Sequence, residues 1–277
     1  MRVNENVQRH FNNMKPDPKA YVSPENVKRL IEKLPTGKAG NDDKVVYEHL
    51  KACAEIISPV LSNVYTHMLR LGHVPVKMKT GNIITLHKGG NKRQDDPANY
   101  RAITLSSCIL KLFEAVVLNR CESVILQSIS TQQGGFQKGL GCMMTSLSVR
   151  ECLHFARENT AKVYMCFLDG RQAFDHVWHQ GLLYKLLEIG IDSTSLIAIK
   201  ELYTDTYSSV KYNGLQSKSF RVRQGCPQGR KCSPIMYLVF IDGLIRRIED
   251  SGFGLLYLRV EDVLADSSGR YVNDVIF

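Results

Sequence analysis

Asp169 closes an apolar run, Val163-Tyr164-Met165-Cys166-Phe167-Leu168, and after three more residues comes Ala173-Phe174-Asp175. The run reads as a buried strand. A carboxylate at a strand's end is well placed to offer oxygen to a hard cation such as Mg2+. Five residues on, the Phe174 ring turns inward beside the small Ala173. A second cluster, Pro227-Gln228-Gly229-Arg230-Lys231-Cys232-Ser233-Pro234, begins 58 positions after Asp169. Its Gly and Pro residues make a tight loop, and Gln224-Gly225 just upstream offers a competing register. Between residues 77 and 101 lie six Lys or Arg (77, 79, 88, 92, 93 and 101) against two Asp. A charge run of this kind is usually a solvated face, the reading taken for Lys92 and Arg93.

The elements that must position these groups follow from spacing. Residues 1–20 read as a frayed polar lead-in. Ser23-Pro24 resembles a cap followed by proline in the first turn, with Val27, Leu30, Ile31 and Leu34 at helical spacing behind it. A second helix is expected over residues 45–71, with Ile56, Val60, Leu61, Val64, Met68 and Leu71 on one face and Gly72 and Pro75 as its stop. Residues 81–87 are β-like, 88–99 a polar loop, 103–105 a short apolar piece, and a helix runs on to about residue 120. Another helix is expected near 144–157, one more around Leu182-Leu183 and Leu186-Leu187, and a last one over 234–248. Ser209-Val210-Lys211-Tyr212 and Ser219-Phe220-Arg221-Val222 alternate around Asn213-Gly214, a hairpin signal.

Composition bounds the class. The 277 residues are 44% hydrophobic with a net charge of +9, enough for a sizeable core and suited to a polyanion partner. Apolar runs are too short for a transmembrane helix, and the N-terminus lacks a secretory signal, so an intracellular location, nuclear or cytoplasmic, is expected. The eight cysteines contain no C-x-x-C pair and read as small buried hydrophobes of a reducing compartment.

Taken together, the Asp169 run and the Pro227 cluster resemble motifs A and B of the reverse transcriptase palm, in the style of non-LTR (LINE-like) retrotransposons. Gly37-Lys38-Ala39, Lys88-Gly89-Gly90, Asp96-Pro97-Ala98-Asn99-Tyr100-Arg101 and Gln133-Gly134-Gly135-Phe136 extend the likeness over roughly residues 21–277. The resemblance implies an α+β polymerase right hand, fingers and palm, with an antiparallel palm sheet packed by helices. It divides the chain into the lead-in, an N-terminal helical region with fingers at 21–162 and a partial palm at 163–277. It implies an RNA-directed DNA polymerase that extends a DNA primer on an RNA template with deoxynucleotide triphosphates by two-metal catalysis. Asp169 is then the catalytic carboxylate and ligand of Mg2+, and Phe174 with Ala173 the gate against a 2′-hydroxyl. Gly170 lines the nucleotide pocket, Gln228 and Gly229 form its floor, and Arg101 and Lys88 clamp the triphosphate. Asp175 is implied as a buried structural partner rather than a ligand.

One part of the pattern is missing. The family's motif C, an aromatic residue followed by Ala-Asp-Asp, does not occur in the 277 residues. Tyr271-Val272-Asn273-Asp274 and Leu264-Ala265-Asp266-Ser267 are near matches, or residues 272–277 are the strand leading in. Residues 255–270 look like an insertion. The expectation is a truncated or decayed copy, without a thumb and inactive as this chain; only activity in it would mean that Asp274, Asp266 or Asp262 had taken over the second ligand site. A non-catalytic RNA- or DNA-binding module and an RNA-directed RNA polymerase palm are the alternatives.

Overall fold

A computed structural model describes residues 2–251 apart from 138, 166, 169 and 171. The chain divides into two compact units, one of Met1–Ser128 with Ala173–Tyr237 and one of Ile129–Gln172 with Leu238–Phe277. The candidate residues Gln228, Gly229, Arg101, Lys88, Ala173 and Phe174 all belong to the first.

The first unit opens with α1 (Arg2–Asn13), where a frayed lead-in was expected. Val3, Val7 and Phe11 recur every fourth residue and so share a face. Val7 and Phe11 are buried, and the helix packs on the later helix at His179–Ile189. α2 (Pro24–Glu32) starts as its sequence implies, with the Ser23 hydroxyl accepting from the Asn26 N–H and Pro24 in the first turn. The helix expected over residues 45–71 is two, α3 (Tyr47–Ala52) and α4 (Ala54–Leu71), parted at Cys53. Gly72, left-handed at φ 60°, ends α4.

The buried face of α4 also differs from the one expected. Leu61, Tyr65, Met68 and Leu69 point inward, while Ile56, Val60, Val64 and Leu71 are exposed. Apolar periodicity alone hid the polar anchors on the inner face. The Ser62 hydroxyl donates to the Val22 carbonyl at 2.6 Å, and the Tyr65 hydroxyl to Ile109 O at 2.8 Å. α5 (Val76–Lys79) follows, and α6 (Cys108–Ser128) is the central helix, buried at Leu110, Leu112, Phe113, Val116 and Val117.

One five-stranded sheet runs β2 (Tyr100–Leu105), β1 (Gly81–His87), β3 (Tyr207–Tyr212) and β4 (Leu215–Gln216), with β5 (Phe220–Arg221) also on β3. β1 pairs antiparallel to β2 and parallel to β3, so the sheet is mixed rather than antiparallel. The hairpin forms where Asn213-Gly214 places it, both residues having positive φ, 47° and 76°.

In the second unit α7 (Cys142–Glu158) forms where a helix was expected. The described residues of the strand expected at 163–168 carry no ladder, and Tyr164, Phe167 and Leu168 are more than 70% exposed. A strand needs a neighbour for its N–H and C=O groups, and none lies beside it among the described residues. α8 (His179–Ile189) and α9 (Ser193–Tyr203) belong to the first unit. α9 was not among the expected helices although Leu196, Ile199 and Tyr203 recur at helical spacing, and it is capped by the Asp192 carboxylate accepting from the Ser195 N–H. α10 (Ser233–Asp250) begins in the first unit and continues into the second. There the Asp242 carboxylate accepts from the Ser130 N–H at 2.8 Å and from Arg246 at 2.6 Å.

Candidate functional site

The Pro227 cluster forms a loop held on both sides by backbone. On one side, Thr104 N–H of β2 donates to the Gln228 carbonyl at 2.7 Å. Gly229 follows at φ 105°, and a Cβ there would lie 2.7 Å from the Thr104 carbonyl oxygen. Only glycine admits this approach. On the other side, Gly225 N–H donates to Val177 O and Cys226 N–H to Phe174 O, both at 2.8 Å. Gly225 has φ 91°, and a Cβ there would lie 3.0 Å from the Asp175 carbonyl. The two Gln-Gly pairs that competed for one register are therefore both used. Gln224-Gly225 fits the Phe174–Val177 segment, and Gln228-Gly229 fits β2.

This joint gathers several of the expected residues. Phe174 stacks on Tyr237, ring centroids 4.6 Å apart and planes 18° from parallel. Ala173 beside it is half-buried, and Asp175 is exposed rather than buried. The backbone explains that correction: the Gly225 approach takes the Asp175 main chain and leaves its carboxylate in water. Arg101 is exposed on β2, its guanidinium making no hydrogen bond or ion pair among the described residues. Alternation puts it on the same face as Ile103, whose Cγ2 would lie 3.5 Å from a Cβ on Gly229.

Lys88 is elsewhere engaged. Its ammonium donates to the Ala98 carbonyl at 2.8 Å, and its N–H to Asn99 O, closing the 88–99 loop on itself. Gly170 is exposed in the second unit. Asp169 lies outside the described residues, as do Cys166 and the near matches Asp262, Asp266 and Asp274. Among the described residues no three His, Cys, Asp or Glu gather to hold a metal ion. The described carboxylate at the joint, Asp175, is a single donor facing solvent. The described residues thus do not by themselves fit the two-cation site that the resemblance implies.

Sequence reasoning missed the charged network beneath the loop. Arg230 is 5% exposed and donates to Leu202 O at 3.0 Å and Lys79 O at 2.9 Å, its Nε lying 3.8 Å from Glu114 on α6. Glu114, 1% exposed, accepts from the Lys231 N–H at 2.6 Å. Burial raises the Glu114 pKa, against the pull of Arg230 and the backbone N–H groups of Lys231 and Cys232. Lys79, counted with the basic stretch, is also buried and donates to the Glu201 carbonyl at 3.1 Å. Burial lowers its pKa, and Glu201 opposes that. These ions position the loop and do not meet solvent. Glu114, set among the apolar residues Leu112, Phe113, Val116 and Val117 of α6, was the one available signal.

Cys226 and Cys232 flank the loop and are buried, the first pushed up to about 11 by desolvation. The Cys226 sulfur lies 3.5 Å from the Tyr203 hydroxyl, the Cys232 thiol donates to the Glu114 carbonyl at 3.6 Å, and His179 Nε2 lies 2.8 Å from the Gly225 carbonyl.

A family model described as reverse transcriptase (RNA-dependent DNA polymerase) matches residues 87–264. The chain is 32% identical over 229 residues to the RNA-directed DNA polymerase from mobile element jockey of Drosophila melanogaster, covering 80% of this chain and 24% of that protein. The Drosophila funebris counterpart is 31% identical over 246 residues, 87% of this chain and 26% of that protein. The transposon TX1 uncharacterized 149 kDa protein of Xenopus laevis is 24% identical over 255 residues, 92% of this chain and 19% of that protein. The chain spans about a quarter of the length of the Drosophila relatives.

Proposed function

The chain belongs to the reverse transcriptase (RNA-dependent DNA polymerase) family, and on that premise we propose that it selects the nucleotide in RNA-directed DNA synthesis. Its partners are an RNA template, a DNA primer and deoxynucleotide triphosphates. Residues 21–162 serve as helical region and fingers, and 163–277 as palm. The observation that carries this reading is the seating of Gln228-Gly229 against β2. That contact brings the loop expected under the nascent base pair to the strand that bears Arg101.

Within this proposal Gln228 and Gly229 floor the pocket, Phe174 and Ala173 border the sugar, and Arg101 receives triphosphate oxygens. Lys88 acts through the 88–99 loop that it closes. Asp169 with Gly170 brings the carboxylate that would hold Mg2+, which in this family supplies charge neutralisation at the transferred phosphate. Catalysis by these 277 residues alone is not expected, since their sequence holds no Ala-Asp-Asp.

The test is nucleotide binding by equilibrium dialysis with Mg2+, followed by primer extension on a homopolymer RNA template. A deoxynucleotide should bind more tightly than its ribonucleotide counterpart, and Phe174→Ala should narrow the difference. Equal binding of the two by the unmodified chain would remove the gate role. Incorporation that disappears in Asp169→Ala would overturn the expectation of inactivity.

A further inference from the structure

Behind the joint lies a cleft of about 490 Å3 between α1, α8, α9 and β5, within the first unit. Lys200, Arg221 and Arg223 line it and no carboxylate does. Gln8 and Asn12 bring amides from α1, and Trp178 brings an indole that is 46% exposed. Gly181 seats that indole, because a Cβ there would lie 2.5 Å from Trp178 Cε3. The ring is therefore fixed against backbone on one side. The Lys200 ammonium rests 4.6 Å over the Phe11 ring, and Arg221 pairs with the exposed Asp205 at 2.7 Å. Arg223 has no ion-pair or hydrogen-bond partner among the described residues. Gln180 Oε1, also in the lining, is buried without a partner.

We propose that this cleft binds single-stranded nucleic acid, one base stacking on Trp178 and the flanking phosphates meeting Arg221, Arg223 and Lys200. A held aromatic face beside cations, of which Lys200 and Arg223 have no carboxylate partner among the described residues while Arg221 shares Asp205, is the combination that single strands use. The volume suits a single nucleotide unit. The amides of Gln8 and Asn12 at the wall can meet base edges. This contact is separate from the nucleotide pocket and needs neither metal nor chemistry, so it stands whether or not the proposed pocket does.

Trp178 is the single tryptophan of the chain, so its emission reports this cleft alone. A single-stranded homopolymer of about 12 nucleotides should quench it saturably, with the midpoint weakening as salt rises. In the double variant R221Q/R223Q the midpoint should rise about tenfold, as expected from losing two phosphate contacts. Gly181→Ala displaces the ring without changing charge, and should abolish quenching while circular dichroism stays unchanged. Anisotropy of a labelled strand that reports binding while Trp178 emission stays constant would overturn the site. So would an unchanged midpoint in R221Q/R223Q, or equal quenching by an acidic polypeptide.

Discussion

At the residue scale the loop depends on an ion pair that water does not reach. Removing one partner of a buried pair strands the other charge, at a cost of roughly 3–5 kcal/mol. Arg230→Met should lower stability by about that amount near neutral pH, measured by urea unfolding. Glu114 has a folded pKa above its ordinary 4.5, so the folded chain holds that proton more tightly than the unfolded one. Stability from this group is full below 4.5 and falls as pH rises through the folded value. Without Arg230 the pKa climbs further, so the variant's deficit should shrink in mild acid. A deficit that does not vary with pH would place its cause elsewhere. His179 carries the opposite dependence, because burial lowers its pKa from 6.5. Its neutral form is the folded one, and its contribution is lost as pH falls below 6.5.

At the element scale, local chemistry was legible where a single residue settles the backbone. Ser23-Pro24, Gly72 and Asn213-Gly214 start, stop and turn their elements as read. What could not be read was which elements meet. The parallel pairing of β1 with β3 joins segments more than 120 positions apart, and no local pattern encodes a partner. The 163–168 run had the composition of a strand, but composition does not supply a ladder. Within the candidate site, the two glycine positions were visible as sequence, whereas their different partners, Asp175 and Thr104, emerge only from packing. The helix α1 is legible in its every-fourth-residue apolar pattern, which its overall polarity masks. Phe11→Ala should cost about 3 kcal/mol or somewhat more, in the range for emptying a buried ring. A change below roughly 0.5 kcal/mol, the size of a surface substitution, would show that α1 contributes little to the unit.

At the scale of the molecule, a net charge of +9 favours polyanions wherever the cations sit. Association with template–primer duplex should therefore weaken as salt rises, log affinity falling linearly against log salt with a slope set by the phosphates contacted. A flat profile in an anisotropy titration would contradict an electrostatic footprint. No described helix is long and apolar enough to cross a membrane.

The anchoring of Arg230 and Lys231 has a temporal side. Lys231 N–H reaches a carboxylate 117 positions earlier, and Arg230 reaches a carbonyl 151 positions earlier. A ribosome adding roughly 5–20 residues per second leaves Glu114 waiting about 6 to 23 seconds for the chain that will cover it. During that interval α6 has no cation to bury against, and its acid must stay hydrated. The central helix of the first unit therefore cannot reach its final packing until late in synthesis. Closing so long a loop makes this a slow, entropy-limited step of folding. A nascent chain stalled before residue 230 would expose the apolar surface of α6 around an unpaired carboxylate, the kind of surface that chaperones hold.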